Sequence, residues 1–246
     1  MNVREPAPGV LHFEEDYRVY CTLVRGQNRS LLWDTGQGKM DLEDWMRTRT
    51  QGPYLVLNSH GHADHIGGNA RFGRVYAPPE DRFLLEAYSR LVHSGPPPYD
   101  ILPLEAGQVF DLGGDTARVV CLAGHTWGSV GLLLEKRRLL LAGDGLNPTL
   151  LLLGEEAAPL SRLRRTLEEV LDLPFDTYLS SHAPQALPKV QAQVHLEHLD
   201  QLRLEPPSHP GPYGPRVSRS QYRAHGRRSV LWVDRRLDDR AEGQRL

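Results

Sequence analysis

The chain has 246 residues, of which 39% are hydrophobic and 24% are charged, and these proportions exclude fibrous, disordered and membrane-embedded proteins. The formal net charge of −2 gives no general attraction to nucleic acid or anionic membrane. Two cysteines, Cys21 and Cys121, are too few for a disulfide framework and fit a reducing compartment. The N-terminal segment lacks an apolar signal region, and no apolar run is long enough to span a bilayer. We therefore expect a cytoplasmic protein.

Short strands separated by turns dominate the first half of the chain. Apolar, β-branched runs predict strands at residues 19–24, 30–33, 54–58 and 75–77. Apolar residues at helical spacing predict helices at 40–49, 66–70 and 79–93. Residues 25–28 form a turn, and Asp34 follows the second of these strands.

The second half repeats this order of strands followed by helices. Strands are predicted at residues 109–112, 117–122, 131–134, 138–142, 177–180 and 229–233. Helices are predicted at 161–171, with Ser161 as N-cap, and at 188–204. Residues 206–215 are rich in Pro and Gly and predict a loop, and a hairpin turn is expected at Gly226.

Two groups of strands, each followed by helices, indicate an α/β fold with two facing sheets and helices outside. We predict one domain over residues 1–233, with a variable helical and loop region at 185–228. The charged segment 234–246 is expected to fray.

The most informative segment is His60-Gly61-His62-Ala63-Asp64-His65, directly after an apolar strand. Imidazole nitrogens and carboxylate oxygens suit zinc, and also iron or manganese. Two histidines at i and i+2 in extended backbone point the same way, so His60 and His62 can hold one ion. Asp64 and His65 lie where the chain turns and can face a second ion.

Three later polar positions also follow apolar runs. They are His125, Asp144 and His182, each just past a predicted strand. Ligands on strand-end loops over a rigid sheet are typical of a metal site. The joint pattern therefore predicts one metal centre rather than a solvated histidine-rich turn.

The segment from His60 to His65 resembles the HxHxDH signature of the metallo-β-lactamase superfamily. His125, Asp144 and His182 match the later members of that pattern in order, and Asp34 resembles its early aspartate. The resemblance runs from about residue 19 to residue 182. It implies a four-layer αββα sandwich with a dinuclear site at one edge.

The resemblance also implies the roles of the site residues. His60, His62 and His125 would hold the first ion, Asp64, His65 and His182 the second, and Asp144 would bridge them. Asp34 would orient a ligand or its loop. Two divalent ions, zinc by preference, lower the pKa of a water between them, so hydroxide exists at neutral pH. Asp64 is expected to relay a proton.

This chemistry favours a hydrolase acting on a small ester, thioester or lactone. The missing tyrosine after Asp144 argues against lactonases, and the short intervals between motifs argue against an RNA-processing enzyme, although a phosphodiesterase stays open. A mononuclear-iron oxidoreductase, similar to persulfide dioxygenases, is the other alternative. We expect no nucleic-acid or membrane partner, and leave a homodimer open.

Trp127 and Tyr222 are the candidate substrate contacts. Trp127 follows His125 at the expected mouth of the site, and Tyr222 precedes the last strand. His195 and His198 share one face of a predicted helix, which we interpret as solvated. Five arginines within residues 216–228 form either a solvated surface or a rim that attracts an anionic substrate.

Overall fold

The structure is a computed structural model that describes residues 2–204 and 211–239. Residues 206–210 of the predicted Pro- and Gly-rich loop lie outside the described residues, as do residues 240–246 of the predicted tail.

A seven-stranded sheet contains the first seven strands in chain order. Its strands are β1 (Val3–Ala7), β2 (Val10–Asp16), β3 (Val19–Val24), β4 (Ser30–Trp33), β5 (Tyr54–Leu57), β6 (Arg74–Ala77) and β7 (Asp100–Pro103). The pairs from β1 to β4 are antiparallel, and those from β4 to β7 are parallel. The carboxyl ends of β4 and β5 therefore meet at the same edge.

A second sheet has six strands, in the order β14-β13-β11-β10-β9-β8. They are β8 (Val109–Asp111), β9 (Thr116–Cys121), β10 (Val130–Leu134), β11 (Leu139–Gly143), β13 (Thr177–Ser180) and β14 (Leu187–Pro188). Strands β11 and β13 pair in parallel, so their carboxyl ends also share one edge.

A third sheet, which the sequence reasoning missed, contains β12 (Thr149–Leu152), β15 (Val217–Ala224) and β16 (Arg227–Asp234). Strands β15 and β16 form a hairpin whose two-residue turn contains Gly226 at φ +67°, as predicted. The first described residues of the segment predicted to fray are regular. Asp234 ends β16, and residues 235–237 form a 3₁₀ turn.

Five α-helices complete the described fold. They are α1 (Leu42–Arg47), α2 (Ala63–Ile66), α3 (Arg82–His93), α4 (Leu160–Leu171) and α5 (Val190–Gln201), with short 3₁₀ turns at Asn69–Arg71 and Pro79–Asp81. Helix α2 begins three residues before the predicted start, so Asp64 and His65 lie on a helix rather than a loop. Helix α4 has Pro159 at its N-cap position, and the Ser161 hydroxyl donates instead to Asp239.

Three apolar layers hold the elements together. Between the two large sheets, Leu31 and Trp33 pack with Leu132 and Leu141. Helix α1 covers the outer face of the first sheet, and α4 covers that of the second. This order of layers is the predicted four-layer αββα sandwich. No helix in the part of the chain that the structure describes combines the length and apolar character needed to cross a bilayer.

Candidate metal centre

The predicted site residues converge at the edge of the sandwich where β4, β5, β11 and β13 end. Asp34 follows β4, and His60 lies three residues after β5. Asp144 comes directly after β11, and His182 lies two residues after β13. Since the paired strands β4 and β5, and likewise β11 and β13, run in parallel, their final residues lie side by side.

Three imidazoles form the first ligand group. The Nδ1 atom of His62 lies 3.0 Å from Nε2 of His60 and 2.9 Å from Nε2 of His125. Zinc–nitrogen bonds of about 2.0–2.1 Å place two tetrahedral ligands roughly 3.3–3.4 Å apart. The three nitrogens are therefore close to the spacing that one ion requires.

Partners on the far side of each ring fix the tautomers of these imidazoles. The Nδ1 of His125 lies 2.7 Å from the Leu151 carbonyl, which can only accept a hydrogen bond, so the proton is on Nδ1. The Nε2 of His62 similarly faces the Glu156 carboxylate at 3.3 Å. Each converging nitrogen of these two rings is thereby left as a lone pair.

Nε2 of His60 is also left as a lone pair, because Ser59 connects the Nδ1–H of this ring to Asp34. The hydroxyl of Ser59 donates to Asp34 Oδ2 at 2.8 Å, so its oxygen accepts from Nδ1–H of His60 at 3.0 Å. Three unprotonated nitrogens then point at one another, an arrangement that a cation stabilises. Burial lowers the pKa of His60 well below its usual value, and burial likewise lowers the pKa of His125 to about 4.

The second group contains Asp64, His65 and His182, and the Asp144 carboxylate lies between this group and the first. The Nε2 of His182 lies 3.5 Å from Asp64 Oδ2 and 3.2 Å from Asp144 Oδ2. The Nε2 of His65 lies 3.6 Å from Asp64 and 3.7 Å from Asp144. The Nε2 of His125, from the first group, lies 3.6 Å from Asp144. Asp144 thus lies within 4 Å of imidazoles from both groups.

The charge of the second group favours a cation. Burial acts to lower the pKa of His65, but the carboxylates of Asp64, Asp144 and Asp34 outweigh it and raise that pKa to about 10. Burial acts to raise the pKa of Asp144, and the surrounding imidazoles, chiefly His65, outweigh burial so that its carboxyl stays ionised. The three carboxylates around the buried His65 ring therefore favour positive charge at this position.

Two buried atoms at this position have no protein partner among the described residues: Nε2 of His65 and Oδ1 of Asp144. Buried polar atoms in folded proteins are almost always paired, and a cation bound between these two atoms would give both a partner. Nitrogen and carboxylate oxygen at this spacing suit a divalent ion. Among the described residues, three overlapping groups bring their ligand atoms within 4.8 Å of one another: His60, His62 and His125; His60, His65 and Asp144; and Asp64, His65 and His182. These residues fit the binding of divalent metal at this edge of the sandwich.

Asp34 is hydrogen-bonded to residues that orient ligands of both groups. Its Oδ2 accepts from Nδ1 of His65 at 3.0 Å and from the hydroxyls of Ser59 and Ser181. Its Oδ1 accepts from the Ser59 backbone N–H at 2.7 Å. The carboxylate is fully buried, so it orients His65 directly and His60 through Ser59.

The two candidate substrate contacts separate in the structure. Trp127 follows His125 by two residues, is 45% exposed, and donates its backbone N–H to the Glu156 carbonyl. Tyr222 lies on β15, where its ring stacks on His198 and its hydroxyl faces Glu197. The side-chain contacts described for Tyr222 are with α5, not with the ligand groups.

The sequence reasoning missed two residues beside the ligands. Glu156 orients His62, and Tyr88 of α3 packs edge-on against the same ring. Neither lies in a recognisable motif. Tyr88 lies on a predicted helix. Knowing which face of that helix packs inward would have been needed to place Tyr88 near the ligands.

A family model described as the metallo-beta-lactamase superfamily matches residues 15–182 of the chain. Among solved structures, a metallo-beta-lactamase from Pontibacter korlensis superposes with a TM-score of 0.62 at 18% identity, covering 82% of this chain and 99% of that one. At that identity the likeness concerns the fold alone.

Several curated relatives are thioesterases by name. An atrochrysone carboxyl ACP thioesterase from Aspergillus novofumigatus is 30% identical over 126 residues, covering 50% of this chain and 36% of that protein. An acyl-coenzyme A thioesterase from Homo sapiens is 27% identical over 166 residues, covering 54% of this chain and 60% of that protein. The match spans less than two thirds of each relative's length.

Proposed function

Since the chain belongs to the metallo-β-lactamase superfamily, we propose that it is a dinuclear metal-dependent hydrolase of small acyl compounds, with thioesters as the preferred class. The observation that carries the proposal is the convergence of two ligand groups on Asp144, whose Oδ2 lies 3.6 Å from Nε2 of His125 in the first group and 3.2 Å from Nε2 of His182 in the second. The names of the two relatives support the substrate class, because both are called thioesterases.

The first group would hold one ion through His60, His62 and His125, and the second would hold another through Asp64, His65 and His182, with Asp144 between them. Bound divalent ions would polarise a carbonyl and lower the pKa of a water. Zinc suits this nitrogen and oxygen donor set, and iron or manganese would also bind.

The side chains of the site would perform the remaining tasks. Asp64 is partly exposed and faces His182, so its carboxylate is placed to carry a proton between the site and solvent. The exposed ring of Trp127 offers an apolar surface to the acyl group at the mouth. Asp34 and Glu156 hold the imidazoles in place and would lower the cost of reorganisation during the reaction.

A cytoplasmic location remains part of this proposal. Cys21 and Cys121 are both free thiols, as expected in a reducing compartment. A small-molecule substrate, without nucleic acid or membrane, is the proposed partner.

Metal content of the purified chain, measured with hydrolysis of a thioester, an ester and a lactone, tests the proposal. We expect about two ions per chain and thioester hydrolysis that is lost in His62→Ala. His225→Ala is the control, because His225 is exposed and pairs with Glu197. A single iron without hydrolysis would support the oxidoreductase alternative, and a chain that binds no metal would refute the proposal.

A further inference from the structure

Asp81 occupies the N-cap position of α3, yet its carboxylate makes no capping hydrogen bond to that helix. Aspartate at this position ordinarily accepts from the backbone N–H groups of the first turn. The side chain is fully buried and points instead toward two loops of the metal centre.

Three donors converge on this carboxylate. Oδ2 accepts from the Gly61 backbone N–H at 3.0 Å and from the Thr126 hydroxyl at 2.7 Å. Oδ1 accepts from the Gly128 backbone N–H at 2.9 Å. Burial raises the pKa of Asp81, and these hydrogen bonds act in the opposite direction.

The donors belong to the two loops that supply the first ligand group. Gly61 lies between His60 and His62, and Thr126 directly follows His125. One carboxylate therefore connects a loop after β5 in the first sheet with a loop after β9 in the second sheet.

Glycine makes this close approach possible. A Cβ atom on Gly128 would lie 2.5 Å from the carboxylate carbon of Asp81. A Cβ atom on Gly61 would lie 2.6 Å from Cβ of Leu84, one turn into α3. Both contacts are shorter than side chains tolerate, so the absent side chains at 61 and 128 leave the space that α3 and its aspartate occupy.

We propose that Asp81 is a positioning residue for the first ligand group, holding the His60–His62 loop and the His125 loop at the separation that one metal ion requires. This inference rests on the proposed function, since it concerns how the same centre binds its ion. The described hydrogen bonds of Asp81 reach the two loops of the first group and none of the second-group ligands, so we expect its effect to be confined to one of the two ions.

Zinc titration of chelator-treated protein, followed by calorimetry and by metal analysis, tests the proposal in Asp81→Ala, Asp81→Asn and Thr126→Val. Alanine removes every acceptor, asparagine presents an N–H₂ group to at least one of the donors, and valine removes only the hydroxyl. We expect affinity for one of the two ions to fall about 10- to 100-fold in Asp81→Ala, with smaller losses in the other two variants, and affinity for the other ion to stay unchanged.

Asp234→Asn is the matched control. Asp234 is also a buried carboxylate that accepts from a backbone N–H, that of Arg236, but it lies at the end of β16 in the third sheet. We expect this variant to bind two ions as the parent does, even where its thermal stability falls. Thermal unfolding of each metal-free variant separates loss of fold from loss of the site.

The outcomes distinguish the two proposals. Two ions bound with parental affinity in Asp81→Ala would overturn the role of Asp81 and leave the proposed function standing. Equal weakening of both ions in Asp81→Ala, or the same weakening in Asp234→Asn, would show general destabilisation and also overturn it. A parent chain that binds none of zinc, iron and manganese would refute the proposed function itself, and with it any metal-positioning role.

Discussion

Nδ1 of His65 donates a hydrogen bond of 3.0 Å to Oδ2 of Asp34, and neither side chain is accessible to solvent. The bond leaves Nε2 of His65 directed at the carboxylates of Asp64 and Asp144. Asp34 holds this position with φ at +62°, in the left-handed region that non-glycine residues seldom occupy. Backbone strain of this kind persists where the surrounding structure requires it, and it is concentrated at functional sites.

The pair leads to a prediction for Asp34→Asn. The new N–H₂ group must replace either Oδ2, where it meets three donors, or Oδ1, where it meets the Ser59 N–H. In the first case His65 loses its acceptor, and in the second the Ser59 N–H loses its acceptor and the connection of Ser59 to His60 is disturbed. Zinc affinity is therefore expected to fall about 10- to 100-fold. Zinc titration of chelator-treated protein measures this.

Glu15→Gln provides the comparison for Asp34→Asn. Glu15 is also buried, and its oxygens accept from the backbone N–H groups of Gln37 and Met40. Because its described hydrogen bonds hold a loop and no ligand, both ions should bind as in the parent chain. Unchanged zinc affinity in Asp34→Asn would contradict the assigned role of Asp34.

A second prediction concerns the mouth of the site. Removing the exposed ring in Trp127→Ala is expected to raise KM for an acyl thioester about fivefold, equivalent to about 1 kcal/mol of lost contact. Metal content and kcat should change little, because the indole lies outside both ligand groups. Steady-state kinetics on a series of acyl chain lengths checks this.

Tyr222→Phe is the companion variant, because the sequence proposed both residues as substrate contacts. The Tyr222 hydroxyl faces Glu197 on α5, so its loss should leave kcat and KM unchanged. A larger effect on KM from Tyr222→Phe than from Trp127→Ala would reverse the assignment.

The fold was predictable to the extent that hydrophobic patterning specifies it. Strands β3, β4 and β13 have the predicted ends, since each is a short apolar run bounded by polar or turn residues. The third sheet was missed because β12 resembles any short apolar run, and because β15 alternates charged and polar side chains. The pairing of β12 with β16 joins two segments that are distant in sequence, and no local pattern indicates it.

The site was predictable where ligand type and strand-end position coincide, as for His60 and Asp144. The supporting residues lacked such a signal. Asp81 is a common residue at the start of a helix, and only the tertiary structure turns its carboxylate toward the His60 and His125 loops. His195 and His198 were interpreted as a solvated face, which was wrong: both are buried against Ser229.

That burial gives a prediction for pH dependence. Burial lowers the pKa of His195 to about 4, with a smaller effect from His198, whereas the unfolded chain retains the usual value near 6.5. Between these values the unfolded state binds a proton that the folded state does not. The free energy of unfolding should therefore fall by about 3 kcal/mol from this group as pH drops from about 6.5 to 4.

Urea unfolding of metal-free protein at several pH values, compared with His195→Asn, isolates this contribution. The variant should be less stable at pH 7, because the hydrogen bond of 2.8 Å to Ser229 is weakened, but its stability should fall less steeply with acid. Parallel pH curves for the two proteins would contradict the assignment to His195.

Gly143 ends β11 immediately before Asp144. Its φ is +51°, and a Cβ atom there would lie 2.5 Å from Cβ of Ser59. Ser59 donates to Asp34 and accepts from His60, so any displacement is transmitted to both ligand groups. Gly143→Ala is expected to lower the free energy of unfolding by more than about 2 kcal/mol, from steric overlap added to left-handed strain, and to weaken zinc binding.

Gly154→Ala separates the two causes. Gly154 has a similar φ of +65°, but a Cβ atom added there would meet nothing within 4 Å among the described residues, so only backbone strain of about 1 kcal/mol applies. Urea unfolding should give a clearly smaller loss for this variant, with zinc affinity unchanged. Equal losses in the two variants would mean that backbone conformation alone accounts for Gly143, and that its contact with Ser59 does not contribute to holding the metal centre.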